Sequence, residues 1–126
     1  PLANFVDVDV ELFGCPIDRN EFLQLVGAVL MGAAWKPPDY PVCVECKAAG
    51  IVCRFHRGEM CLGPVTRAGC GAICPLFGAA CDACRGLSPD ANLGSFTELA
   101  ASYGVTESNL TERLRQYGAR QEAISE

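Results

Sequence analysis

The chain has 126 residues, half of them hydrophobic, and a formal net charge of -5. That length suits one small domain or part of a larger one, and the apolar share excludes a disordered tail. The acidic balance argues against a nucleic-acid binder, which needs a basic face, and no stretch approaches the ~18 consecutive apolar residues of a membrane span.

Residues Phe5 to Phe13 read FVDVDVELF, with Val6, Val8, Val10 and Leu12 alternating with Asp7, Asp9 and Glu11. This is the period of a half-buried strand. The strand is expected to stop at Gly14, before Cys15 and Pro16, which puts a cysteine between a strand and a helix. Asp18 is placed to cap that helix. Phe22, Leu23, Val26, Val29 and Leu30 recur at helical spacing through about Ala33, and the stripe reads as core packing. Lys36-Pro37-Pro38 ends the helix.

From Pro41 to Leu87 the sequence predicts loops, short turns and one-turn helices. Eight of the nine cysteines lie here: Cys43, Cys46, Cys53, Cys61, Cys70, Cys74, Cys81 and Cys84. Beyond them, Phe96 to Tyr103 reads as a helix ending at Gly104. Thr106 starts another, with Leu110, Leu114 and Tyr117 as its apolar stripe and Gly118 as its end. Ala119 to Glu126 is expected to fray.

An odd cysteine count without a signal peptide speaks against a secreted disulfide framework and for metal-bound thiols in a reducing compartment. Because the chain begins at Pro1, it reads as cleaved or as lacking an earlier segment. Eight cysteines divide into two sets of four, and four thiolates suit a structural zinc or a [4Fe-4S] cluster. A single zinc would use the two C-x2-C pairs and leave Cys53, Cys61, Cys70 and Cys74 without a role. Apolar residues around the thiols, such as Ile51, Val65, Ile73 and Phe77, fit a bulky group shielded from water. The spacing therefore favours iron-sulfur over zinc, and zinc over disulfides. His56, the sole histidine, reads as a surface residue more than a ligand. Lys47, Arg54, Arg57, Arg67 and Arg85 lie among the cysteines, either for solubility or to offset negative charge. With no P-loop and no G-x-G-x-x-G, the chain lacks the equipment of a self-contained catalyst.

The motifs GCPID at Gly14–Asp18, PVCVECK at Pro41–Lys47, CLGPVTRAGCGAICP at Cys61–Pro75 and CDACRG at Cys81–Gly86 resemble the small, electron-transferring subunit of [NiFe] hydrogenases. The closest likeness is to the cytoplasmic, bidirectional group, of the sulfhydrogenase and F420- or heterodisulfide-reductase-linked kinds. The resemblance implies three clusters in a line. Cys43, Cys46, Cys53 and Cys61 correspond to the ligands of the distal [4Fe-4S] cluster, although many relatives carry histidine in place of Cys43. Cys70, Cys74, Cys81 and Cys84 correspond to those of the medial cluster. Cys74 stands where many periplasmic relatives carry proline, so this cluster should also be [4Fe-4S]. Cys15 corresponds to the last ligand of the proximal cluster, whose other ligands come from an N-terminal flavodoxin-like region that this chain lacks.

The resemblance implies an α+β fragment. Residues 1–38 would be the last strand and helix of the flavodoxin-like region, 39–90 a loop-rich two-cluster domain and 91–126 a helical tail. The implied function is a non-catalytic relay through two [4Fe-4S] clusters, with one ligand to a third. The implied partners are the [NiFe] large subunit, the missing N-terminal part, and a diaphorase-like or heterodisulfide-reductase-like electron partner in the cytoplasm. Two rivals stay open: a zinc-stabilised interaction module, and a ferredoxin-like subunit of another oxidoreductase.

Overall fold

A computed structural model describes residues 3 and 5–117. The expected end of the last helix at Gly118 and the fraying of 119–126 fall outside these residues. Helix α1 spans Arg19–Leu30, and Asp18 caps it as expected, its Oδ1 accepting from the Glu21 N–H at 2.9 Å. The helix ends at Leu30, some three residues before the expected end near Ala33.

Two expectations for the N-terminal part are corrected. Residues 5–13 form no paired strand, and Val6, Val8 and Val10 are exposed. Alternation supplies the side-chain pattern of a strand, but a strand also needs a neighbour to complete its backbone hydrogen bonds. The α1 stripe is not core either: Phe22, Leu23, Val29 and Leu30 are exposed, and the buried residue of the helix is Glu21. The helix turns its carboxylate inward because Arg85 waits there.

The cysteine region is made of short pieces, as its glycine and proline content predicts. Helix α2 (Val42–Ala48) is followed by 3-10 turns at Arg54–Arg57 and Gly63–Val65 and by the single turn α3 (Ile73–Leu76). Two isolated antiparallel bridges, Pro41 to Arg67 and Thr66 to Leu87, lace three loops together through Thr66 and Arg67. Around them Val42 N–H donates to Thr66 O, Arg67 N–H to Gly86 O and Ser88 N–H to Val65 O.

Helices α4 (Leu93–Ser102) and α5 (Glu107–Gln116) start at Asn92 and Thr106, whose side chains accept from Ser95 N–H and Asn109 N–H. Their buried faces, Phe96 and Ala100 with Leu110 and Leu114, close on Leu62, Val65 and Ala83 of the cysteine region. Fully burying one such leucine or phenylalanine contributes roughly 1.5–3 kcal/mol. The boundary expected at residue 90 thus divides segments that share one core. Phe55 and Tyr103 lock the seam, their rings 5.2 Å apart and the Tyr103 hydroxyl donating to Phe55 O.

Candidate metal centre

Cys61 and Cys81 share one buried cluster, with Cys46 and Cys70 packed against it. Cys43 lies on α2 about one turn before Cys46. Burial, followed by the neighbouring thiols of Cys61, Cys46 and Cys53, pushes the Cys43 thiol up to about 11. Cys46 is raised by burial and then by Cys53 and Cys61. A Cβ on Gly63 would lie 3.4 Å from both Cys43 Sγ and Cys61 Sγ, so the backbone comes to the sulfurs where a side chain would crowd them.

The second set lines a cavity of about 290 Å³, with Cys70, Cys74, Cys81 and Cys84 on its wall and Cys15 beside them. An apolar cavity of about 150 Å³ already holds a benzene ring, so this space suits a polyatomic group and far exceeds a single ion. Burial raises Cys74 first, then Cys84, Cys70, Asp82 and Cys15. Burial also raises Cys84, opposed by the Cys15 backbone N–H. Cys15 itself is exposed at the rim.

Cys81 stands between the sets. It is buried, its thiol is pushed up to about 12 by that burial, and the Ala83 N–H and Thr66 hydroxyl oppose the rise. Its own N–H donates to Cys61 Sγ at 3.2 Å, a contact that would steady a thiolate at Cys61. Backbone strain collects here as well. Ala72 and Ala83 are both buried and both left-handed, at φ 51° and 63°.

Among the described residues, no three of the Cys, His, Asp and Glu side chains converge closely enough for one metal ion. A tetrahedral zinc with sulfurs at ~2.3 Å would need them ~3.8 Å apart. The nine cysteines are all free thiols. His56 is exposed on the Arg54–Arg57 turn, as expected.

Sequence reasoning missed the polar joints. Glu45, inside the first C-x2-C, accepts from Gly69 N–H at 2.9 Å and Ala72 N–H at 3.3 Å, tying one thiol set to the other. Thr66 donates to Leu62 O at 2.6 Å. Arg54 pairs with Glu59, and Arg67 donates to Pro38 O. Arg85 is buried and salt-bridged to Glu21. Solubility therefore does not account for Arg54, Arg67 or Arg85. The available signal was that charged residues inside an apolar, thiol-dense segment require partners.

No protein-family profile matches the chain. It is 36% identical over 118 residues to the delta subunit of sulfhydrogenase 2 of Pyrococcus furiosus, covering 93% of this chain and 49% of that protein. It is 35% identical over 104 residues to a subunit of the vhu F420-non-reducing hydrogenase of Methanocaldococcus jannaschii, covering 68% and 36%. It is 26% identical over 143 residues to the iron-sulfur subunit of the F420-non-reducing hydrogenase of Archaeoglobus profundus, covering 90% and 44%. The chain spans about half the length, or less, of these relatives, and the relatives are hydrogenase subunits. No described helix is long and apolar enough to cross a membrane.

Proposed function

We propose, from this likeness to hydrogenase subunits, that the chain is the C-terminal half of a [NiFe]-type small subunit and relays electrons without performing the hydrogen chemistry. Cys43, Cys46, Cys53 and Cys61 would hold one [4Fe-4S] cluster and Cys70, Cys74, Cys81 and Cys84 another, with Cys15 directed at a third. The observation that carries the reading is the cavity of about 290 Å³ walled by Cys70, Cys74, Cys81 and Cys84, with Cys15 at its rim, which suits a cluster in size and in donor chemistry. The likeness to the Archaeoglobus protein, which is named as an iron-sulfur subunit, supports it too. Bound iron-sulfur groups accept and release single electrons.

The chain's own residues prepare the sites. Buried thiols with raised pKa values stay protonated until a metal displaces the proton, so loading releases protons. Val42 and Ala72 pack with Cys61 and Cys81 in a buried cluster that keeps water from those thiols. Cys81 N–H and the bare backbone at Gly63 present polar hydrogen and open space to the sulfurs.

Val44, Val52, Ile73, Leu76 and Phe77 are exposed beside the thiols, and the N-terminal apolar residues are exposed as well. They fit contact with further protein surface, and the partners we propose are a large subunit, the rest of the small subunit, and a diaphorase-like or heterodisulfide-reductase-like partner in the cytoplasm. The test is metal analysis of the complex purified without oxygen. About eight irons and eight sulfides are expected for the two sets. Stoichiometric zinc without sulfide overturns the proposal in favour of a zinc-stabilised module.

A further inference from the structure

Arg85 follows directly on Cys84, yet its side chain is only 3% exposed. Arginine is almost never buried to that degree unless paired. Its donors are spent on three residues in two regions of the chain, Phe13 and Glu21 near the start and Ala68 in the cysteine region. Nε donates to Ala68 O at 2.8 Å, one terminal nitrogen to Phe13 O at 3.0 Å, and the other to Glu21 Oε1 at 2.5 Å. Gly69 makes the room: a Cβ there would press on the guanidinium and come within 2.7 Å of Glu21 Oε1.

The positions of these partners matter. Phe13 and Glu21 bracket the segment that carries Cys15, and Ala68 leads into Cys70. One side chain therefore fastens the Cys15 segment to the loops of the second cysteine set. Arg85 also lines both the five-cysteine cavity and a second cavity of about 390 Å³ beside Phe13 and Trp35. Residues 5–13 form no paired strand, so sheet pairing does not hold this segment.

We infer that Arg85, held by Glu21, is a positioning residue that fixes Cys15 against the cavity of Cys70, Cys74, Cys81 and Cys84. Arginine is required because its planar fork offers five donors in fixed directions, whereas a lysine ammonium offers three on a flexible stem. The consequence for electron relay rests on the function proposed above; the clamp itself does not.

The experiment uses the full subunit in its complex. Arg85→Met with Glu21→Met removes both charges at similar volume, a replacement of a buried ion pair that is often neutral for stability. Arg85→Lys keeps the charge and loses the fork. Hydrogen exchange is measured at the amides of Gly14, Cys15 and Ile17, with α4 and α5 as the control for overall folding. Electron paramagnetic resonance then reads the iron held by the second set. Expected are at least tenfold faster exchange at the three amides in both variants, parent-level exchange in α4 and α5, and an altered resonance line shape. Parent-rate exchange at Gly14, Cys15 and Ile17 overturns the clamp. Faster exchange with an unchanged line shape overturns the positioning role and leaves a structural anchor. Should α4 and α5 loosen as well, Glu21→Gln, which keeps an acceptor oxygen, is judged by the same two criteria. An iron-free parent complex would defeat the electron-relay reading instead, and the exchange rates would still decide the clamp.

Discussion

Two amphipathic stretches of this chain end in opposite situations. Helices α4 and α5 bury their stripes, with Leu114 at 3% exposure, while α1 leaves Phe22 at 50% and Leu30 at 81%. Both stretches carry the same signal in sequence. The difference is that the cysteine region offers α4 and α5 an apolar counterface at Leu62, Val65 and Ala83, while the residue that α1 buries is Glu21, in a salt bridge to Arg85. Periodicity specifies that a helix has a face to cover; it does not say where the cover comes from.

The largest test of this contrast is truncation on each side of it. Leu114→Ala in the 126-residue chain should lower the unfolding free energy by roughly 2–5 kcal/mol, as buried leucines do. Leu23→Ala should stay within about 0.5 kcal/mol. Urea denaturation of both variants measures this, and equal losses would mean that α1 is covered after all. A smaller effect is expected inside the covered half. Thr66→Val removes the hydroxyl that donates to Leu62 O and should cost about 1–3 kcal/mol, because a buried acceptor loses its partner. A loss below about 0.5 kcal/mol would place the stability of the loops elsewhere.

The smallest effect is one of pH on the metal-free chain. The Cys81 thiol rises from 9.0 to about 12 on folding, so the folded state holds its proton more tightly than the unfolded state. That stability is fully present below pH 9 and is lost as pH climbs toward 12. Between about pH 9 and about pH 10 the loss should approach about 1 kcal/mol by proton linkage. Denaturation midpoints that fail to fall over this range would show Cys81 to be less sealed than its packing implies.

Much of the local structure was legible in sequence. The Asp18 and Thr106 caps, the helix stripe at Leu110 and Leu114, and the fragmentation of the glycine-rich cysteine region all follow from local chemistry. Long-range polar joints were not legible. Nothing local tells Arg85 to reach Phe13, 72 positions away, or Glu45 to reach Gly69. The strand at Phe5–Phe13 failed for the complementary reason: its pattern is local, but its pairing partner is not in the described residues.

The left-handed turn at Ala83 has a consequence for which changes this protein can accept. In Cys81-Asp82-Ala83-Cys84, Asp82 faces outward and reaches Arg113 at 3.0 Å, while Ala83 is sealed under Phe96 and Leu114 in a conformation that branched and bulky residues resist. Asparagine tolerates that backbone but would carry an amide into an apolar seal. Two adjacent positions thus have opposite alphabets: a saturation library should return nearly every residue at 82, and at 83 little beyond alanine and glycine.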